Sequence, residues 1–218
     1  MSQFDRRDVL KFAGAAGVGA AAGAGLVPTQ AAEASALSLD QRIGEMLLMG
    51  FIGSTTETSG ADQIAAHLAA NRIGGVLFLR HNVRSREGAE GLTARFSDIA
   101  PNAWMAVDQE GGLVQRLSRD LGYTHIPRAM HVAEQRDVDG ASDLYQLGAS
   151  EFRAAGFNMN LAPVADVHDP DNAVIGRHGR AYGVDAAVIE GYAGALIDSY
   201  DRAGAVCAIK HFPGHGRS

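Results

Sequence analysis

The stretch "AWMAVDQEGG", residues 103–112, places two acidic side chains directly after a short apolar run. A run of this length between helical segments is typical of a buried parallel strand. Asp166 follows the apolar run "APVA" in the same way, and Lys210 and His211 follow "CAI". Polar residues at the carboxyl ends of several strands are typical of a (β/α)8 barrel, whereas a doubly wound sheet concentrates function at one switch point.

Short apolar runs alternate with helical patterns along the chain from residue 39 onward. The runs lie within residues 46–51, 73–80, 103–107, 157–167 and 205–212, and the predicted helices within residues 39–46, 60–72, 86–100, 139–156 and 185–204. This alternation predicts a parallel sheet with both faces covered. Five units are fewer than eight. The prediction is therefore an α/β fold of the (β/α)8 TIM-barrel type that is incomplete, with about five βα units present and the others beyond Ser218.

The composition is that of a globular domain, with 46% hydrophobic, 20% charged and 6% aromatic residues in 218. The net charge of −6 argues against a nucleic-acid-binding protein, which would need clustered Lys and Arg to neutralise phosphates. Cys207 is the single cysteine of the sequence, so an internal disulfide is excluded.

The first thirty-six residues resemble a twin-arginine export signal. Arg6 and Arg7 precede a weakly apolar run at residues 12–27, and small residues follow in "PTQAAEASA". That run is shorter than the roughly 20 strongly apolar residues that a membrane span needs, so no stable membrane insertion is expected. We predict an export signal and cleavage region at residues 1–36 and the folded part at residues 37–218. The export machinery would be a partner, and the mature protein would be extracellular or at the cell surface.

Each polar motif alone allows a simple structural interpretation. "DQEGG" could be a loop that caps the next helix, and Asp166 in "VADVHD" could be a buried carboxylate that holds a loop. "HFPGH", residues 211–215, spaces two histidines as in a helical zinc motif, but its Pro-Gly pair disfavours a helix. A metal-dependent hydrolase that uses His168, His211 and His215 stays as a minor alternative, and the leading interpretation includes no metal and no cofactor.

The motifs "GGVLFLR", "AVDQEGGLVQRL", "GFNMNLAPVADVHDPDNAVIGRHGRAYG" and "AIKHFPGHG", taken in order, resemble the family 3 glycoside hydrolases. The resemblance runs from about Leu39 to Gly216 and points to the β-N-acetylhexosaminidase branch. It implies the N-terminal part of a catalytic barrel that hydrolyses O-glycosyl bonds with retention. The implied substrates are oligosaccharides or cell-wall fragments with a terminal β-linked N-acetylglucosamine-type residue. A β-glucosidase of the same family and a non-catalytic sugar-binding remnant are the alternatives.

The resemblance also implies which residues bind the sugar. Asp108 would accept hydrogen bonds from sugar hydroxyls. Arg116, Arg180, Lys210 and His211 would donate hydrogen bonds to the same ring. Ionised groups suit a neutral sugar because charge-assisted hydrogen bonds are stronger than neutral ones.

The catalytic groups implied by the resemblance do not occur in these 218 residues. In this branch an Asp-x-His pair follows the "KHFPGHG" loop and supplies the acid/base, and the nucleophilic Asp lies on a later strand. Both would lie beyond Ser218, so the chain is expected to be truncated at its C-terminus and inactive alone. Leu113 departs from the family pattern, which usually has a basic residue there, and Tyr182 stands where Phe is more common.

Overall fold

The computed structural model describes residues 37–216. The prediction of an export signal at residues 1–36 lies outside the described residues. Within residues 37–216, no helix combines the length and the apolar character that a membrane crossing requires.

The described residues form six α-helices and seven short strands. The helices are α1 Leu39–Gly44, α2 Ser59–Ala69, α3 Arg86–Ile99, α4 Ala129–Gln135, α5 Val138–Ala154 and α6 Ala186–Arg202. The strands are β1 Leu48–Gly50, β2 Gly75–Phe78, β3 Trp104–Val107, β4 Gln109–Gly111, β5 Val114–Gln115, β6 Met159–Asn160 and β7 Val206–Cys207.

Five of the strands form one parallel sheet in the order β1-β2-β3-β6-β7. Each strand pairs with the next strand of the sheet along the chain, and the order never reverses. A doubly wound sheet would reverse at its switch point, whereas a barrel adds strands in sequence. The prediction of an incomplete barrel-type α/β fold is confirmed.

The register of the sheet places the polar strand ends at one edge. Val107 lies opposite Asn160, and Asn160 lies opposite Cys207. The residues that follow these three positions therefore emerge side by side.

Local sequence signals explain where the helices begin and end. The side chains of Thr58, Ser85, Asp137 and Asp185 each accept a hydrogen bond from a backbone N–H in the first turn of the following helix. Short polar side chains at this position satisfy N–H groups that have no partner inside the helix. After α5, Gly156 has φ of 84°, a left-handed conformation that glycine adopts without steric cost and that ends the helix.

An aromatic cluster fills the space between the sheet and the helices that cover it. The ring of Phe78 on β2 lies 5.5 Å from Phe51 and 5.0 Å from Phe157, measured between centroids, and both contacts are edge-to-face. Phe96 on α3 contacts Phe51 at 5.6 Å. Phe78, Phe96 and Phe157 are fully buried, so this cluster is the centre of the hydrophobic core.

Two elements have no counterpart among the predicted segments, and the strands are shorter than the predicted apolar runs. The β4–β5 hairpin and helix α4 fall between residues 109 and 135, where the apolar pattern is weak. The strand predicted within 157–167 is reduced to Met159–Asn160, and beyond Pro163 pairing resumes as one parallel bridge between Val164 and Lys210. Proline has no N–H to donate to the ladder, which explains the interruption.

Candidate functional site

Lys210 is held at the carboxyl edge of the sheet by backbone hydrogen bonds. Its N–H donates to the Pro163 carbonyl over 3.0 Å, and its own carbonyl accepts from the Ala165 N–H over 2.7 Å. These bonds extend the pairing of β6 and β7 beyond the strands themselves. The Lys210 side chain can therefore reach toward the end of β3.

Two carboxylates from the "DQEGG" stretch receive the Lys210 ammonium group. Nζ lies 2.7 Å from Asp108 Oδ1 and 2.5 Å from Glu110 Oε1. The lysine and Asp108 side chains are 18% and 19% exposed, so the ion pairs are largely shielded from water. The ends of β3 and β7, about 100 residues apart in sequence, thus meet in one charged cluster.

Arg180 joins this cluster through Glu110. Its Nε donates to Glu110 Oε2 and its Nη2 donates to Oε1, both over 2.8 Å. Such a two-pronged pairing is the strongest geometry for an arginine and a carboxylate. The Glu110 carboxylate raises the pKa of Arg180 above its ordinary value, so the guanidinium stays charged.

Arg116 reaches the cluster from the β4–β5 hairpin. Its Nη2 lies 3.6 Å from Asp108 Oδ2, close enough for an ion pair but longer than a hydrogen bond. Gln109 determines the position of this hairpin, because its Oε1 accepts from the N–H groups of Arg116 and Leu117, each over 3.0 Å. The turn itself contains Gly112 with φ of 56°.

Asn160 on β6 fixes the backbone between the two acidic residues. Its Oδ1 accepts from the Gln109 N–H over 3.1 Å, and its Nδ2 donates to the Gln109 carbonyl over 3.2 Å. Asn160 is fully buried. Sequence reasoning does not identify this residue, although a signal was present: a polar side chain in a buried strand needs hydrogen-bond partners.

His211 belongs to a second cluster next to the first. Its Nδ1 lies 2.6 Å from Asp166 Oδ2, and Asp166 Oδ1 accepts from the His215 N–H over 2.7 Å. Burial raises the pKa of Asp166, but the hydrogen bonds from His211 and from the His215 backbone outweigh it and hold the pKa below its ordinary value. The interpretation of Asp166 as a buried carboxylate that holds a loop is confirmed.

Asn172 holds the far end of the same loop. Its Nδ2 donates to the Gly216 carbonyl and lies 3.3 Å from His215 Nδ1. Residues within 165–172 and 209–216 together line a cavity of about 840 Å³. Lys210 and His211 face this cavity, whereas Asp108, Arg116 and Arg180 lie outside its lining.

The two histidines of "HFPGH" do not form a metal-ligand group with their neighbours. Their rings lie edge to face, with 5.2 Å between centroids. In the part of the chain that the structure describes, no group of three or more His, Cys, Asp or Glu side chains is arranged to hold a metal ion.

The structure brings together four of the five predicted sugar-binding residues and places the fifth beside them. Asp108, Arg116, Arg180 and Lys210 form one cluster through Glu110, and His211 follows Lys210 but pairs with Asp166. Apart from His211, the two clusters together contain three cationic side chains and three carboxylates. Such a surface can bind a neutral polyhydroxylated ligand through charge-assisted hydrogen bonds.

The sequence pattern of the family described as "Glycosyl hydrolase family 3 N terminal domain" matches residues 38–218. The chain belongs to this family. Among curated relatives, the beta-hexosaminidase of Xylella fastidiosa (strain M23) is 35% identical over 178 residues, which cover 78% of this chain and 50% of the relative. Beta-hexosaminidase LpqI of Mycobacterium tuberculosis is 42% identical over 114 residues, covering 52% of this chain and 29% of the relative.

Solved structures of family 3 proteins match the fold. A glycoside hydrolase family 3 beta-N-acetylglucosaminidase from Paenibacillus sp. superposes with a TM-score of 0.74 at 32% identity, covering 83% of this chain and 34% of that chain. NagZ from Neisseria gonorrhoeae, in complex with N-trifluoroacetyl-D-glucosamine, superposes with a TM-score of 0.67 at 29% identity, covering 78% of this chain and 50% of that one. The family 3 chain described here spans about half the length of the first curated relatives it matches.

Proposed function

We propose that this family 3 protein is a retaining glycoside hydrolase that releases terminal β-linked N-acetylglucosamine-type residues from oligosaccharides or cell-wall fragments. In this proposal residues 37–218 supply the part of the barrel that binds the terminal sugar. The observation that carries it is the set of ion pairs that joins Asp108, Glu110, Arg180 and Lys210 at the strand ends. The beta-hexosaminidase names of the curated relatives support the same substrate class.

Each predicted residue has a role in this proposal. Asp108 accepts hydrogen bonds from sugar hydroxyls, and Lys210 and Arg116, which already contact it, donate to neighbouring hydroxyls. Arg180, which shares Glu110 with Lys210, and His211, which follows Lys210 in the chain, donate to the same ring. Groups fixed by the protein before the sugar arrives lose little freedom on binding, which favours affinity. Hydrogen bonds that strengthen as the sugar becomes oxocarbenium-like would also accelerate cleavage.

The acid/base and the nucleophile, in our proposal, come from residues other than those described. Retaining hydrolysis needs two groups about 5 Å apart on either side of the scissile bond. The carboxylates of the two clusters, Asp108, Glu110 and Asp166, are each engaged in ion pairs or hydrogen bonds within them. Because the chain spans half the length of its relatives, the 218 residues alone are expected to bind a sugar without cleaving it.

Export is a separate part of the proposal. The twin arginines Arg6 and Arg7 before a weakly apolar run support transport of the folded protein out of the cytoplasm. Replacing both arginines with lysine should abolish appearance of the protein outside the cytoplasm while leaving its synthesis unchanged. Secretion of the doubly substituted protein at the normal level would contradict this part.

A hydrolysis assay on the product of the complete reading frame tests the activity. It should release 4-nitrophenol from 4-nitrophenyl N-acetyl-β-D-glucosaminide, and proton NMR should detect the β-anomer of the sugar first. A preference for 4-nitrophenyl β-D-glucoside would favour the β-glucosidase alternative, and an α-anomer as first product would exclude retention. Sugar binding without turnover by the complete product would favour the non-catalytic alternative.

A further inference from the structure

We propose that Glu110 is a positioning residue, which holds Lys210 and Arg180 in the orientation that binds the sugar and does not contact the sugar itself. The inference rests on the proposed function, in which Glu110 was not assigned a role in sugar binding. Its basis is the placement of one carboxylate between two cationic side chains.

Both oxygens of Glu110 are occupied by these partners. Oε1 forms an ion pair with Lys210 Nζ at 2.5 Å and accepts from Arg180 Nη2 over 2.8 Å, and Oε2 accepts from Arg180 Nε over 2.8 Å. The two arginine hydrogen bonds are charge-assisted, and the lysine ion pair comes from a different segment of the chain. Lys210 and Arg180 are therefore fixed relative to each other by one side chain.

The burial of Glu110 separates its role from that of Asp108. The Glu110 side chain is 6% exposed, whereas the Asp108 side chain is 19% exposed and faces the same lysine. With its side chain 6% exposed and both oxygens already in contact with cations, Glu110 is less accessible to a ligand than Asp108. The sugar can reach Asp108, and Glu110 acts through the two cations.

Charge gives Glu110 a second effect on the site. Lys210 Nζ and Arg180 Nη2 both contact Glu110 Oε1, so two positive charges lie next to each other in a partly desolvated place. Without the carboxylate they repel, because like charges interact strongly where water screens them poorly. The expected consequence is that the Lys210 side chain swings away or becomes mobile.

Lysine NMR tests this consequence without relying on activity. Lys11 and Lys210 are the two lysines of the sequence, so a protein labelled with ¹⁵N-lysine gives few ammonium signals. The Lys210 signal is assigned by its disappearance in Lys210→Arg. In the wild-type chain it should be sharp, because bound and shielded ammonium protons exchange slowly with water. In Glu110→Gln it should broaden, and the affinity for N-acetylglucosamine should fall about tenfold.

Glu90→Gln is the matched control. Glu90 also pairs with an arginine, Arg86, but on the surface of α3, where an ion pair contributes little. This variant should keep both the Lys210 signal and the sugar affinity. Glu110→Asp, which keeps the charge but cannot span both partners, is the second test if Glu110→Gln does not fold. It should also broaden the Lys210 signal.

The outcomes separate this proposal from the proposed function. An unchanged Lys210 signal in Glu110→Gln, or in Glu110→Asp where only that variant folds, overturns the positioning role, even if the protein becomes less stable. If the signal broadens but the wild type does not bind N-acetylglucosamine, the positioning role is supported and this sugar is excluded as the ligand. A broadened signal together with unchanged affinity overturns the link between position and binding.

Discussion

The aromatic cluster of the core is buried and the charge cluster at the strand ends is partly buried, and the two are organised differently. Phe51, Phe78, Phe96 and Phe157 form four ring contacts, three edge-to-face and one tilted, with centroid distances between 5.0 and 6.1 Å. In the charge cluster each contact is an ion pair or a charge-assisted hydrogen bond between oppositely charged side chains. Packing tolerates exchange of one apolar shape for another, whereas ion pairs depend on each partner.

Because of this difference, the two clusters contribute to different properties of the protein, namely folding stability and sugar affinity. The aromatic cluster provides free energy of folding in proportion to the area it removes from water. The charge cluster offsets its own desolvation cost and contributes little net stability, but it fixes where donors and acceptors point. We therefore expect substitutions in the first cluster to change stability and substitutions in the second to change sugar affinity.

The largest expected effect is on stability, from Phe78→Ala. Removal of a fully buried ring that contacts three other phenylalanines should lower the free energy of unfolding by about 3 to 5 kcal/mol. Urea unfolding measures the change. Phe212→Ala is the matched control, because Phe212 is 97% exposed and its replacement should change the free energy by less than about 0.5 kcal/mol. Equal losses in the two variants would contradict the assigned core.

Asp108→Ala should have the largest effect on binding. It removes the carboxylate that faces Lys210 at 2.7 Å and Arg116 at 3.6 Å, and leaves both cations without this partner. Affinity for N-acetylglucosamine should fall about 100-fold, or about 3 kcal/mol, as measured by calorimetry. Asp62→Ala, which breaks the surface pair with Arg95, is the control and should keep its affinity. Unchanged binding in Asp108→Ala would refute its place in the site.

Asn160 is fully buried in the sheet and also holds Gln109 between the two acidic residues, so its substitution tests whether stability and sugar affinity are separable. Asn160→Ala leaves the Gln109 N–H and carbonyl without their buried partner, which should cost about 2 kcal/mol of stability. Because Gln109 lies between the two acidic residues and holds the Arg116 hairpin, affinity should also fall, by about tenfold. Unfolding and binding measured on one sample give both values.

The chain contains a matched control for this test. Asn158 makes the same kind of double contact at the opposite end of β3, where its Oδ1 accepts from the Met105 N–H and its Nδ2 donates to the Ala103 carbonyl. Asn158→Ala should lose stability but keep the sugar affinity. If both variants lost affinity equally, the effect would come from the sheet as a whole and not from the position of Gln109.

The sequence predicted the parts of the molecule that depend on local pattern. Apolar runs located all five strands of the parallel sheet, and acidic or basic residues after those runs located one end of it. The hairpin that carries Arg116 was not predicted, because the Gln109 side chain and not an alternating pattern holds it. The contact between Glu110 and Lys210 could not be predicted from the sequence either. The two residues are 100 positions apart, and only the register of the sheet brings them together.

The smallest effect should come from the pH dependence that Asp166 contributes. The pKa of this carboxyl is lowered in the folded protein, so the unfolded chain takes up the proton first, near pH 4. The stability that Asp166 provides is therefore fully present above pH 4 and is lost as the pH falls through the lower, folded value. Unfolding measured from pH 5 to pH 2.5 should show a shallower decline of the free energy of unfolding in Asp166→Asn than in the wild type.

The same variant also tests whether the two clusters are independent. Because Asp166 holds His211 and the His215 backbone rather than the cluster around Glu110, the Lys210 ammonium signal should stay sharp in Asp166→Asn at neutral pH. Broadening of that signal would mean that the two clusters act as one, and the separation between the loop and the charge cluster would have to be abandoned.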